Sequence, residues 1–221
     1  WSKSRGNYEG AVKSDVGQTD TSITQDFDHA ANMVGAYGDL PNDRRHTFKL
    51  FGSWSPIQRL TIGANLFVQS GRPYGCIGYM PQTIDPLAPN SGTPSAWWCP
   101  KGSYIETVGG GLGNQMAAIG QQADRYENVL TPRGSQGRTD WVYNVDLSLA
   151  YKFFQSDTKG EAVARLDIFN VFNGDAVTRV VEQGEVRTSA TGVKNVAAPF
   201  YGYPRTYQTP RYVRIGFSYS F

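Results

Sequence analysis

Few residues in this chain could carry chemistry, and their spacing argues against most of it. The two histidines, His29 and His46, stand at ligand distance neither from each other nor from Cys76 or Cys99. The sequence therefore gives no zinc site. Asp20, Asp26 and Asp28 could together hold a calcium ion, but they lack the spacing and the glycine of a calcium loop, so solvated loop acids are expected. The glycine-rich run Gly109-Gly-Gly-Leu-Gly113 has no strand-turn-helix frame around it and reads as a flexible loop rather than a phosphate cradle. No G-x-S-x-G nucleophile elbow occurs. The expectation is a protein that is not an enzyme and needs no cofactor or metal.

Charge narrows the classes further. Lys and Arg number 21 against 19 Asp and Glu, for a net charge of +2, so no nucleic-acid partner is expected. The mean hydropathy is −0.44 and no apolar run approaches the roughly 18 residues of a spanning helix. A membrane is still open to it, because a transmembrane strand needs only about 10 residues with alternate positions apolar.

That alternation is what the chain has. Val213, Ile215, Phe217, Tyr219 and Phe221 share one face of a terminal strand, with Arg214, Gly216, Ser218 and Ser220 on the other. In 141–153 the odd positions are Trp, Tyr, Val, Leu, Leu, Tyr and Phe, and the even ones include Asn144, Asp146, Ser148 and Lys152. Residues 60–69, 47–54 and 162–168 alternate in the same way, the last broken at 170–173 by what reads as a bulge. Residues 1–8 read as the end of a sixth strand.

Six strands leave five connections, short and long in strict alternation. Residues 55–58 and 155–160 are hairpin turns, whereas 9–44, 71–138 and 174–209 are long, and all the long ones fall at one end of the sheet. A soluble antiparallel sandwich also alternates. Two patterns favour lipid. Aromatics cluster toward both ends of the apolar faces: Tyr151, Phe153, Tyr219, Phe221 and Trp54 at one, Trp141 and Tyr143 at the other. The opposite faces carry Lys49, Asp146, Lys152, Arg165, Asp167 and Arg214, which suits a wet lumen. The expected fold is all-β, an antiparallel outer-membrane β-barrel.

The residues also carry a resemblance. Phe221, with apolar residues at 219, 217, 215 and 213, resembles the C-terminal signal read by the outer-membrane assembly machinery. The run Asp167-Ile-Phe-Asn-Val-Phe-Asn173 resembles the penultimate-strand motif of TonB-dependent receptors, and Pro210-Arg-Tyr-Val-Arg-Ile-Gly216 their last strand. Trp1-Ser-Lys-Ser and Leu40-Pro-Asn-Asp-Arg-Arg-His-Thr-Phe48 are similar to segments of the same family, in particular its Oar-like subgroup. The resemblance implies that 1–221 is the C-terminal part of a larger barrel of about 22 strands. Its plug and earlier strands would lie outside this sequence, since six strands cannot close and an open edge in lipid is costly.

What the resemblance implies for function is ligand uptake across the outer membrane of a Gram-negative bacterium, driven through TonB contacting the absent plug. The long loops would be extracellular and the C-terminus periplasmic, with outer-membrane lipid and lipopolysaccharide around the wall. A passive pore, an adhesin or a protein-export component on the same barrel stays open. The ligand cannot be read.

In such a loop, reached through an oxidising periplasm, Cys76 and Cys99 are expected to form a disulfide that restrains the unfolded segment by roughly 3 kcal/mol. Tyr79, Trp97, Trp98 and Tyr104 are candidate ligand contacts there, or else they pack the loop on itself. The spacing of apolar residues in 114–130 suggests a short helix within the same loop.

Overall fold

The computed structural model describes residues 1–7, 30–80, 84, 96–100, 128–156, 160–187 and 195–220. Its main element is a five-stranded antiparallel sheet of β1 (Thr47–Ile57), β2 (Leu60–Gln69), β3 (Val142–Ser156), β4 (Gly160–Phe169) and β5 (Tyr212–Ser220). The strands lie side by side in sequence order. Strands of 9 to 15 residues, at about 3.3 Å each, are long enough to cross an apolar layer of about 25 Å while tilted. Among the described residues the sheet does not close on itself, and the one helical element is the single turn Ala30–Met33.

Register turns the alternation into two surfaces. Asp167 stands opposite Arg214 on β5 and Ser148 on β3, Ser148 opposite Gly63, and Gly63 opposite Ser53, so these residues share one face. The next row runs Leu166, Ile215, Leu149, Ile62 and Trp54 on the other face. A register shift at Ala162/Val163 keeps this division through β3 and β4, as a bulge does by adding one residue to one strand.

Several expected boundaries change. Only Arg5–Gly6 of the expected sixth strand is extended, and it pairs with Gly38–Asp39 outside the main sheet. Strand β1 runs on to Ile57 through a register shift after Trp54, so the turn to β2 is at Gln58 and Arg59 rather than across 55–58. The Asn170 and Asn173 pair is a chain reversal at the end of β4, not a bulge. Both residues adopt left-handed backbone, φ 49° and 54°, which asparagine tolerates better than most side chains, and Asn173 N–H donates to Asn170 O at 2.8 Å. Of the helix expected over 114–130, the described end, Asn128–Leu130, is instead a strand paired with Trp98–Pro100; the rest lies outside the described residues.

Burial is concentrated away from the sheet. Among the described residues less than a tenth exposed, the sheet contributes Ala162 and Asp167, while Ala36, Cys76, Ile77, Tyr79, Met80, Ala96, Trp97 and Cys99 belong to the long connections. These connections form a packed cap at the end of the sheet where β2 leaves and β3 enters. The disulfide between Cys76 and Cys99 lies inside it. Gly184, brought in from the β4–β5 connection, lies against the disulfide so closely that a Cβ there would overlap both sulfurs. Gly184 N–H donates to Ile77 O at 2.7 Å, tying the two connections together.

Gly184→Val should therefore force the connections apart, at a cost of about 1–3 kcal/mol typical of overpacking. The expected result is a rise in alkylatable Cys76 and Cys99 without reductant and faster proteolysis within the cap. A fully bonded pair with unchanged protease resistance would contradict this packing.

Candidate functional site

The six charged residues expected on one side of the strands do share a face. Arg214 reaches across the strand gap to Asp167, with Nη2 2.7 Å from Oδ2, while Ser148 Oγ donates to Oδ1 at 2.6 Å. Lys152 pairs with Glu161 at 3.0 Å. Lys49 lies over the Phe67 ring at 5.6 Å, and Arg165, exposed, is opposite Ala150 and Gly216. Asp146 differs from these. Its Oδ1 accepts from Asn144 Nδ2 at 2.8 Å and from the Asn170 backbone N–H at 2.9 Å, and its Oδ2 from Asn65 Nδ2 at 3.3 Å. All three donors are neutral. Asn170 in turn donates from Nδ2 to Gly174 O and Thr209 O, which locks the chain reversal after β4 against the approach to β5.

The other face is apolar and uncovered. Phe48, Leu50, Trp54, Tyr143, Leu149, Tyr151, Phe153, Val213, Ile215, Phe217 and Tyr219 stand on it, with Trp54 67% and Ile215 81% exposed. Among the described residues no second sheet packs on it. At its cap end His46, Trp141 and Tyr143 stack in succession, with centroids 5.8 and 6.3 Å apart. At the far end Tyr151 and Phe153 meet edge to face at 5.3 Å. Val213, Ile215, Phe217 and Tyr219 of the expected assembly signal lie on this face; Phe221 lies outside the described residues.

Tyr79 and Trp97 are buried in the cap, and Trp98, partly buried, packs on Met80 and Ala96. Tyr104 lies outside the described residues, as do His29, Asp20, Asp26, Asp28 and the 109–113 glycines. Arg133 stacks on Trp97, its guanidinium carbon 4.4 Å from the ring centroid, and donates from Nε to Ala36 O at 2.6 Å.

Buried ion pairs, which sequence reasoning missed, hold the rest of the cap. Arg72 pairs with Glu182, whose Oε2 also accepts from Gly75 N–H at 3.1 Å, and Glu185 accepts from Tyr79 N–H at 2.6 Å. Burial, then the negative charge of Glu182, raises the Tyr74 phenol above its ordinary range. Tyr201 is raised further, by burial first and then by Tyr74 and Glu182. Asp43 is the hub of a second network: it accepts from Ser4 N–H at 2.7 Å, from Arg45 Nε at 2.8 Å and from Arg138. Asp39 collects Arg5 at 3.1 Å and Arg45 at 2.7 Å beside it. No sequence signal pairs residues this far apart; the Arg72 and Glu182 positions differ by 110.

The sheet thus has one apolar face, one polar face and a packed cap at one end, an all-β antiparallel arrangement consistent with a fragment of a β-barrel. Comparison with known proteins agrees in kind. The chain is similar to the TonB-dependent transporter Oar of Myxococcus xanthus, at 26% identity over 251 aligned positions that take in all of this chain and 20% of that protein. The chain thus spans about a fifth of the length of this relative. No protein-family model matches it, and no solved structure does.

Burial would raise the Asp43 carboxyl, but the Ser4 N–H and the two guanidiniums outweigh it and hold the group below its ordinary value. A depressed folded pKa gives stability that is complete above the unfolded value, near 4, and is lost as pH falls through the folded one. Hydrogen-exchange protection of 37–46 in the full protein should be flat from neutral pH to about pH 5 and decline below about pH 4. Asp43→Asn should cost about 2–3 kcal/mol of protection at neutral pH and flatten the acid decline. Unchanged protection in the variant would contradict the hub.

Proposed function

We propose that this chain is part of the wall of an outer-membrane transporter that takes up a ligand with energy supplied through TonB. The observation that carries the reading is the uncovered apolar face. A row-by-row apolar surface across five strands, with Trp54 and Ile215 exposed in one row, is a contiguous patch of a kind that soluble proteins rarely leave in water. It costs nothing against lipid. The polar face then borders a lumen, which accounts for charged side chains that pair with one another across strands rather than entering a core. Aromatics at both ends of the apolar face match the two interfacial girdles of such barrels.

In lipid every strand edge must be paired, so β1 and β5 require neighbours. We take these to be further strands of a longer barrel, in line with the 20% share of the Myxococcus relative that this chain covers. In this reading the cap is extracellular and the turns at the other end are periplasmic. Energy coupling would act through a plug contributed by the longer chain, and the similarity to a protein named as a TonB-dependent transporter is what supports that part.

The test uses single spin labels at 145 and 146 in the full protein in bilayers. Val145 should report oxygen-rich lipid and Asp146 a water-soluble relaxation agent. Equal accessibility at the two positions would sink the wall reading.

A further inference from the structure

At the cap end of the polar face, β2, β3, β4 and the approach to β5 enclose a cavity of about 330 Å³ that none of the interactions above accounts for. Its walls include Phe67, Asn144, Asp146, Phe169, Gln208 and Tyr212, and no Lys or Arg is among the lining residues. Phe169 and Tyr212 stack on each other as a cross-strand pair, centroids 4.5 Å apart. Nearby cations are engaged elsewhere: Lys49 lies over Phe67, Arg214, paired with Asp167, is 5.4 Å from the Phe169 centroid, and Arg211 donates to Val171 O.

The amide groups of this cavity direct donors at the protein itself. Asn144 Nδ2 donates to Asp146, Asn170 Nδ2 to two backbone carbonyls, and Gln208 Nε2 to Tyr143 O at 2.9 Å and to Asn144 Oδ1 at 3.5 Å. Two acceptors in it keep open capacity. Gln208 Oε1 is buried with no hydrogen-bond partner, which is rare for a buried polar atom. The Asp146 carboxylate meets neutral donors only, and its Oδ2 has just the long 3.3 Å contact from Asn65. A half-buried negative charge without a cation, beside an unfilled carbonyl and between aromatic walls, complements a positively charged donor on an apolar stem.

From this geometry we propose that the cavity is a binding site for an organic cation, a guanidinium or primary ammonium group, carried by a free ligand. The charged group donates to Asp146 Oδ2 and Gln208 Oε1, and its carbon stem lies along Phe67 and the Phe169–Tyr212 pair. A carboxylate or phosphate ligand is disfavoured, since it would meet the like charge of Asp146. This inference rests on the proposed function, in that a free ligand reaches the site only if the polar face borders a lumen, and it names the chemistry of what is taken up.

The experiment uses the full protein in detergent, with butylguanidinium as probe and butylurea as its uncharged counterpart, followed by calorimetry or ligand-observed NMR. Butylguanidinium should bind in about the millimolar range and butylurea at least about tenfold more weakly. Asp146→Asn should weaken the guanidinium by at least about tenfold, and Gln208→Glu, which adds a second carboxylate, should tighten it several-fold. A gain in Gln208→Glu cannot come from misfolding. Equal binding of the two probes, indifference to both substitutions, or no binding because another part of the full protein fills the cavity would each overturn the site. Labelling of Arg165→Cys by a water-soluble maleimide separates the two readings. If it is labelled and the guanidinium does not bind, the cation site alone fails; if it is shielded from water, the lumen reading fails and the site with it.

Discussion

The apolar face of the β1–β5 sheet has no protein against it among the described residues, and the remaining features follow from that exposure. If water lay on both sides, the rows through Trp54, Leu149 and Ile215 would drive aggregation rather than folding. If lipid lies on one side, the same rows become the stabilising surface, and every polar group must find its partner on the opposite face. The sheet obeys that division. Asp167 meets Arg214 and Ser148, Lys152 meets Glu161, and Asp146 gathers amides, all on the face away from the apolar rows.

A sheet with one uncovered face has little interior of its own, and among the described residues the buried core lies in the connections. There the Cys76–Cys99 bond, Trp97 under Arg133, and the Arg72–Glu182 pair replace the aliphatic packing of an ordinary small domain. Buried ion pairs of this type add little net stability, because desolvation cancels much of the attraction, but breaking one is costly. They fix one arrangement of segments far apart in sequence. The cap thereby holds the ends of β2, β3 and the approach to β5 in place, and the Asp146 cavity is formed just below it.

The strands were legible because a two-residue period needs no partner to be seen. The alternation in 141–153 and 213–219 already assigned Asp146 and Arg214 to one face and Leu149 and Ile215 to the other. Short segments were not legible for the same reason: two or three extended residues, such as Arg5–Gly6 or Asn128–Leu130, have no period, and their pairing is decided by chains that arrive from elsewhere. The Asn170 and Asn173 signal was visible and misassigned, since asparagine suits a left-handed turn as well as a bulge. Glu182, Asp43 and Gln208 could not be singled out at all. Each matters through a partner dozens of residues away, as Gln208 does through Tyr143, and no local pattern marks such a pair.

The central claim, that one sheet face meets lipid while the cap does not, is tested most directly by depth-dependent quenching of single tryptophans in the full protein reconstituted with brominated lipids. Trp54, on the apolar face, should be strongly quenched, and Trp97, in the cap interior, should be left bright. Quenching of Trp97 as strong as that of Trp54, or none at either position, would contradict the account.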